Sequence, residues 1–164
     1  MSFLIRPLRA DEPELYRDIR LEALRAHPEA FGASFEDEAA RPLAFFEQRL
    51  TGNTIFGGFL ERELLGTCGF MPVSGAKRAH KGHLWGMYVR PAARGTGLAR
   101  LLVAAVLEHA QERVELIQLS VVAGNGTARR LYESFGFAPY GIEERSLKVE
   151  GRYLDEVLMV KRLG

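Results

Sequence analysis

Cysteine is nearly absent from this chain. Cys68 stands alone, which excludes an internal disulfide framework and fits a reducing cytoplasm. An excess of charge of one sign is also missing: 22 Lys and Arg offset 21 Asp and Glu, leaving a net charge of +1. So balanced a chain carries no electrostatic footprint for nucleic acid or an anionic membrane. No apolar run approaches the ~20 residues that cross a bilayer. The opening stretch from Met1 to Pro7 has no basic segment followed by a long apolar one, so no signal peptide is expected. There is no repeat, linker or low-complexity run, and no Gly-Lys-Ser/Thr triplet of the kind that ends a Walker A loop. A cytoplasmic protein with neither nucleic acid nor membrane as partner is the expectation.

What is present is ordinary in amount. Apolar residues at 47% and charged residues at 26% of 164 suit one domain, 1–164, with a full-sized core. Phe3, Leu4, Ile5 and Leu8 suggest a first strand. Asp11 is placed as an N-cap with Glu14 completing a capping box, and a helix runs to about Ala26 before Pro28. His27 to Arg41 reads as a loop carrying Phe31 and Phe35, which are either core plugs or a wall of a substrate pocket. Pro42 to Leu50 reads as a second helix. Thr54–Leu60 and Leu64–Met71 read as a hairpin, and Pro72 to Gly82 as a polar, basic loop.

Leu84 to Val106 changes character midway. Trp85, Met87, Tyr88 and Val89 favour a strand, which Pro91 ends because it has no N–H to donate. Leu98, Leu101, Leu102, Ala105 and Val106 then recur with a helical period. Between them lies a basic, glycine-bearing turn, Arg94-Gly95-Thr96-Gly97. Strand, glycine turn and helix start together form an anion site: the first helical N–H groups lack partners, and the helix dipole favours negative charge. A dinucleotide fingerprint would need a third glycine where Arg100 stands. Downstream, Leu116–Val122 reads as a buried strand. Ala128, Leu131, Tyr132 and Phe135 mark a short helix stopped by Gly136, and Tyr140–Val149 and Arg152–Leu163 are two last strands. The fold class is mixed α/β, in the order β-α-α-β-β-β-α-β-α-β-β.

Arg94, Gly97 and Ala99 match Arg/Gln-x-x-Gly-x-Gly/Ala, preceded at the right spacing by Met87-Tyr88-Val89. Leu119, Val121, Asn125, Ala128, Leu131, Tyr132, Gly136 and Phe137 match a second pattern, L-x-V-x(3)-N-x(2)-A-x(2)-L-Y-x(3)-G-F. In both motifs, and in element order over nearly the whole chain, the sequence resembles the GNAT N-acetyltransferase superfamily. The resemblance implies a central mixed twisted sheet of about seven strands with about four helices, the fourth and fifth strands splayed around the cofactor. It implies acetyl-CoA as donor and, as acceptor, a primary amine of a small molecule or amino-acid derivative, or else of a protein or peptide. By the resemblance, the backbone of Met87 and Val89 holds the pantetheine and acetyl group. The amides of Arg94, Gly95, Thr96, Gly97, Leu98 and Ala99 hold the pyrophosphate. Asn125 touches the cofactor edge, and Tyr132 is the general acid near the sulfur. Each has a plainer alternative: Asn125 as a helix cap, Tyr132 as core, Arg94 as a solvated charge.

The general base is open. His83 occupies the position where histone-acetylating relatives carry Glu, and it shares strand parity with Trp85 and Met87. A neutral imidazole can take a proton at neutral pH. His80, Glu143 and Asp155 lack motif support, and ordered water is a further alternative. No metal ligands are assigned. An acyl-CoA-binding regulatory module without turnover is the rival from another class. The sequence leaves the acceptor, and the choice between monomer and homodimer, undetermined.

Overall fold

The computed structural model describes residues 2–164. Its strands are β1 (Leu4–Pro7), β2 (Thr54–Leu60), β3 (Glu63–Pro72), β4 (Lys81–Val89), β5 (Leu116–Val122), β6 (Ala138–Val149) and β7 (Arg152–Arg162). Its helices are α1 (Pro13–Ala26), α2 (Phe35–Ala39), α3 (Leu43–Gly52), α4 (Leu98–Gln111) and α5 (Gly126–Ser134). The seven strands form one sheet in the order β1-β2-β3-β4-β5-β7-β6. All neighbours are antiparallel except β4 and β5, which α4 connects as a parallel pair. The mixed sheet expected from the sequence is therefore present. Among the described residues no helix is long and apolar enough to cross a membrane.

Two cores flank the sheet. On one face Leu98, Leu102, Val103, Val106 and Ala110 of α4 pack with Phe70, Leu84, Ile117 and Met159. On the other, Tyr16, Ile19 and Ala23 of α1 and Phe46 and Leu50 of α3 cover Ile55, Phe59 and Leu64. Removal of these apolar surfaces from water is the main stabilising term.

Two local expectations are corrected. Asp11 does not cap α1, and no capping box with Glu14 forms. Glu12 holds the N-cap position without a side-chain cap bond, and Pro13 starts the helix with its pre-set φ. The Glu12 carboxylate instead accepts from Arg6 at 2.9 and 3.0 Å and from the Arg9 amide at 2.7 Å, tying β1 to the start of α1. The second correction lies within His27 to Arg41, which is not all loop. Ser34 accepts from the Asp37 amide at 3.1 Å and starts α2, a fifth helix. One helical turn is too short to show a hydrophobic period. Its stability comes from tertiary contact, through Glu38, with α1 and α3.

The β4–β5 ladder positions everything else. It holds only Lys81–Leu116, Gly82–Ile117 and His83–Gln118. Past His83 the strands part. On its other edge β4 stays with β3, but Thr67 pairs Tyr88 while Gly69 pairs Trp85, so Gly86 and Met87 together oppose Cys68. This β-bulge needs Gly86, whose φ is +65°. The Thr67 hydroxyl donates to the Gly86 carbonyl at 3.4 Å. The end of β4 is anchored away from β5: the Tyr88 hydroxyl donates to Glu22 of α1 at 2.8 Å, and Arg90 bonds Glu22 and the Leu64 carbonyl.

The Arg6 contact holds the Glu12 carboxyl down at about 2, against an ordinary 4.5. A depressed carboxylate contributes stability that is present above pH 4.5 and lost as pH falls toward 2. Glu12→Gln should therefore cost about 1–3 kcal/mol at neutral pH. It should also flatten the acid limb of a chemical-denaturation series read from pH 7 to pH 2. An unchanged limb would assign acid sensitivity to other carboxylates.

Candidate active site

The parted strands open a cleft of about 770 Å3. Met87, Tyr88 and Val89 of β4 line one wall, Val122 of β5 and Asn125, Ala128 and Leu131 of α5 the other. The β5-facing edge of β4 beyond His83 has no strand beside it, so an extended ligand can pair with it.

At one end of the cleft sits the glycine turn. Gly95 has φ +75° and Gly97 φ +88°, and no atom lies within 4 Å of where a Cβ would stand on either. Both adopt a backbone that L side chains avoid, and both leave open space over it. Gly97 is the N-cap of α4 and has no side chain to satisfy the first-turn amides. The Leu101 N–H already bonds the Gly97 carbonyl, so the amides of Leu98, Ala99 and Arg100 are the orphans an anion would take. Thr96 is held by its hydroxyl to the Ala93 carbonyl. The residues present fit a pyrophosphate.

Arg94 is exposed but anchored at two points. Its Nε donates to the Val89 carbonyl at 3.2 Å, and its Nη2 lies 3.0 Å from Nε2 of His27. A guanidinium can only donate, so Nε2 of His27 is the acceptor and Nδ1 carries the ring proton. Arg94 thus links the end of β4 to the segment after α1. Asn125 serves as cap and wall together: its Oδ1 accepts from the Ala128 amide at 3.2 Å, while its Nδ2 remains available to the cleft it lines.

A second cleft, of about 510 Å3, lies beside the first and shares Ala30 and Phe31 with it. His83, Trp85 and Gly86 of β4, Ser120 of β5 and Glu156 of β7 contribute to it. Phe31 is therefore a wall of both. Burial, and then the nearby Lys81 charge, lower the pKa of His83, which keeps the imidazole neutral at pH 7. The other sequence candidates line neither cleft. Asp155 accepts from the Arg145 amide at 2.8 Å, and Glu143 and His80 are exposed.

Tyr132 lies deeper than expected. It is 6% exposed, its ring is edge-on to Phe137 at 6.0 Å, and it is not in the wall that its neighbours Ala128 and Leu131 form. Burial drives its pKa far up, so the hydroxyl stays protonated. Cys68 is fully buried and likewise pushed up, which suits a core thiol.

Sequence reasoning missed Glu156 and His27, among others. Glu156 shares a face of β7 with Arg152 and Leu154, a period of two that was legible had the open side of that strand been known. His27 carries no local signal, because its partner Arg94 is distant in sequence.

The profile of the acetyltransferase (GNAT) family matches residues 14–137, and the chain belongs to that family. Acetyl-CoA is the cofactor that membership brings. An acetyltransferase of the GNAT family from Streptococcus pneumoniae superposes with a TM-score of 0.86 at 22% identity, covering 98% of this chain and 99% of that one. A Salmonella typhimurium protein solved with its cofactor acetyl-CoA superposes at 0.83 with 22% identity, covering 100% and 95%. The ribosomal-protein-alanine N-acetyltransferase of Brucella melitensis superposes at 0.81 with 26% identity, covering 98% and 99%. A mycothiol acetyltransferase from Thermomonospora curvata is 38% identical over 63 residues, which is 38% of this chain and 21% of that protein. The match thus spans about a fifth of that relative's length.

Gly97→Glu should fold, with left-handed strain of about 1–2 kcal/mol. It should lose the rise in melting temperature that acetyl-CoA gives the wild type, because the carboxylate occupies and repels the anion position. An undiminished rise in a folded variant would remove the turn from the cofactor site.

Proposed function

We propose that the chain is an N-acetyltransferase that moves the acetyl group of acetyl-CoA to a primary amine by direct attack. The observation that carries this is the adjacency of two clefts that share Ala30 and Phe31: a cofactor-sized groove lies beside a second opening that presents a neutral imidazole. The name of the Brucella melitensis relative, an alanine N-acetyltransferase, is in keeping with an amine acceptor.

The cofactor supplies an activated acyl thioester. In this proposal the amides of residues 95–99 hold its pyrophosphate, the Arg94 amide expected to join them being taken by the Pro91 carbonyl at 3.2 Å, while the Met87 and Val89 backbone and Asn125 align its arm. A β4 amide near the bulge donates to the thioester oxygen, an oxyanion-type contact. His83 takes the acceptor's proton, directly or through one water. A lysine-like amine with pKa near 10.4 costs ~4.6 kcal/mol to deprotonate at neutral pH, an α-amine nearer 8 only ~1. A base therefore matters more for the first class. Tyr132 keeps its proton, and its hydroxyl has no hydrogen bond among the described residues, leaving that proton free for the departing sulfur. The depth of Tyr132 favours a second reading, an acyl-CoA-binding module without turnover. Release of free CoA with a panel of amines decides between them: release that depends on the amine supports transfer, and binding without release refutes it.

With a confirmed acceptor, the acid limb of kcat/KM should fall below the ordinary histidine value of 6.5, because burial and Lys81 disfavour the imidazolium. His83→Gln should remove that limb and slow the reaction by ~10²–10⁴-fold, more for acceptors of higher pKa. A retained limb and rate would make water or Glu156 the base.

Tyr132→Phe should lower kcat where chemistry limits the rate, and leave the Kd for acetyl-CoA within about twofold because the ring still packs. Wild-type turnover in the folded variant would return Tyr132 to a core role.

A further inference from the structure

Three helices send one charged side chain each to a single buried point on the wall of the second cleft. Arg20 of α1 donates through Nε and Nη2 to both oxygens of Glu38 of α2, at 3.0 and 3.1 Å. Arg49 of α3 donates through Nη1 and Nη2 to the same two oxygens, at 2.9 and 3.1 Å. Both guanidiniums lie over the Trp85 ring, at 5.3 and 5.0 Å. The side chains of Arg20 and Glu38 are 7% and 5% exposed, that of Arg49 21%.

The charges do not cancel. Arginine stays protonated in proteins, so one carboxylate faces two cations. A surplus charge held out of water is costly unless a counter-charge completes it. No second carboxylate bonds either guanidinium among the described residues. Nor are the donors exhausted. Nη1 of Arg20 makes no hydrogen bond among the described residues, and it lies 3.7 Å from the position a Cβ would take on Gly86, the bulge residue in the lining of the same cleft. Elsewhere in the same cleft stands a carboxylate: Glu156 accepts from the Ser146 hydroxyl through one oxygen and keeps the other free among the described residues, near His83 in the lining. The cleft is thus cationic on the side of α1 and α3 and anionic on the side of β7.

We propose that the acceptor is a small amino acid, an amine that carries its own carboxylate. Its carboxylate completes the Arg20–Glu38–Arg49 cluster, and its amine lies toward Glu156 and His83. The inference deepens the N-acetyltransferase proposal and rests on it for the chemistry, though not for the binding. Arg20 and Arg49 are then specificity residues. A cluster serving only to join the helices would not discriminate between ligands.

The test compares amino acids with their carboxamides as ligands of the CoA-saturated protein, by calorimetry. The acids should bind about 10–100-fold more tightly, the effect of one or two charged hydrogen bonds. Arg49→Gln should reduce that preference to near unity with little change for the amides, and Arg49→Lys should restore part of it. Equal binding of acid and amide by the wild type, or no binding of any acid, would overturn the inference without need of a variant. So would equal binding of peptides whose carboxylate is remote from the amine, or equal weakening of acid and amide by Arg49→Gln. CoA release is measured separately. Amino-acid binding without release would refute acetyl transfer and leave the recognition standing; release indifferent to the carboxylate would do the reverse.

Discussion

The parallel contact between β4 and β5 is abandoned after three residue pairs, and the rest of the molecule serves that break. A strand edge left unpaired is a liability unless something covers it. Here the cost is contained because β4 is over-determined on its other side. The Arg90 amide bonds Leu65, its side chain bonds Leu64 and Glu22, and Tyr88 reaches Glu22 on α1. Burial of the ring, and then the bond to Glu22, raise the Tyr88 phenol to about 12, so at neutral pH the hydroxyl keeps the proton it donates. β5 in turn is paired with β7 along its full length. Each strand is fixed by its outer neighbour, and the gap lies between them.

How much of this was legible in the sequence depended on how local each cause was. The glycine turn between β4 and α4 was read because its physics lies within six consecutive residues: two glycines with positive φ and a helix start that no side chain caps. The strand boundaries of β2 and β5 were read because alternation and short turns are local signals. The start of α1 was misread for the opposite reason. Asp11 and Glu14 form a plausible capping pair by spacing, but Arg6 on a neighbouring strand recruits Glu12 instead. Helix α2 was missed because one turn held by a distant ion pair leaves no pattern. The insertion of β7 between β5 and β6 was equally invisible, since both are antiparallel partners of a hairpin in either arrangement.

The acceptor side was the least legible, and the reason is geometric. Arg20, Glu38 and Arg49 are spread across three helices and meet only when all three have packed on the sheet. The same dispersal explains why Trp85 belongs to the site although it resembles a core residue in sequence. Its indole edge lies over Gly69, where an added Cβ would come within 2.8 Å, and its ring carries both guanidiniums. Among the described residues Trp85 Nε1 is buried without a partner, and it borders a cavity of about 10 Å3, room for roughly one water, lined also by Thr67, Tyr16 and Arg20.

These features divide the fold by face. In the proposed transfer the face packed by α4 would serve the donor, its helix start meeting the anion while its core fixes the glycine turn. The face packed by α1 and α3 would serve the acceptor through charged side chains that those helices bury. Only Phe31 and its neighbour Ala30 line both clefts, and they lie on the irregular segment between α1 and α2. Both ends of that segment are fastened by charge: His27 to Arg94 at the cofactor end, and α2, through Glu38, to Arg20 and Arg49 at the other. A ligand that competes for Arg94 would loosen the first fastening, whereas an anion beside Arg20 would complete the second.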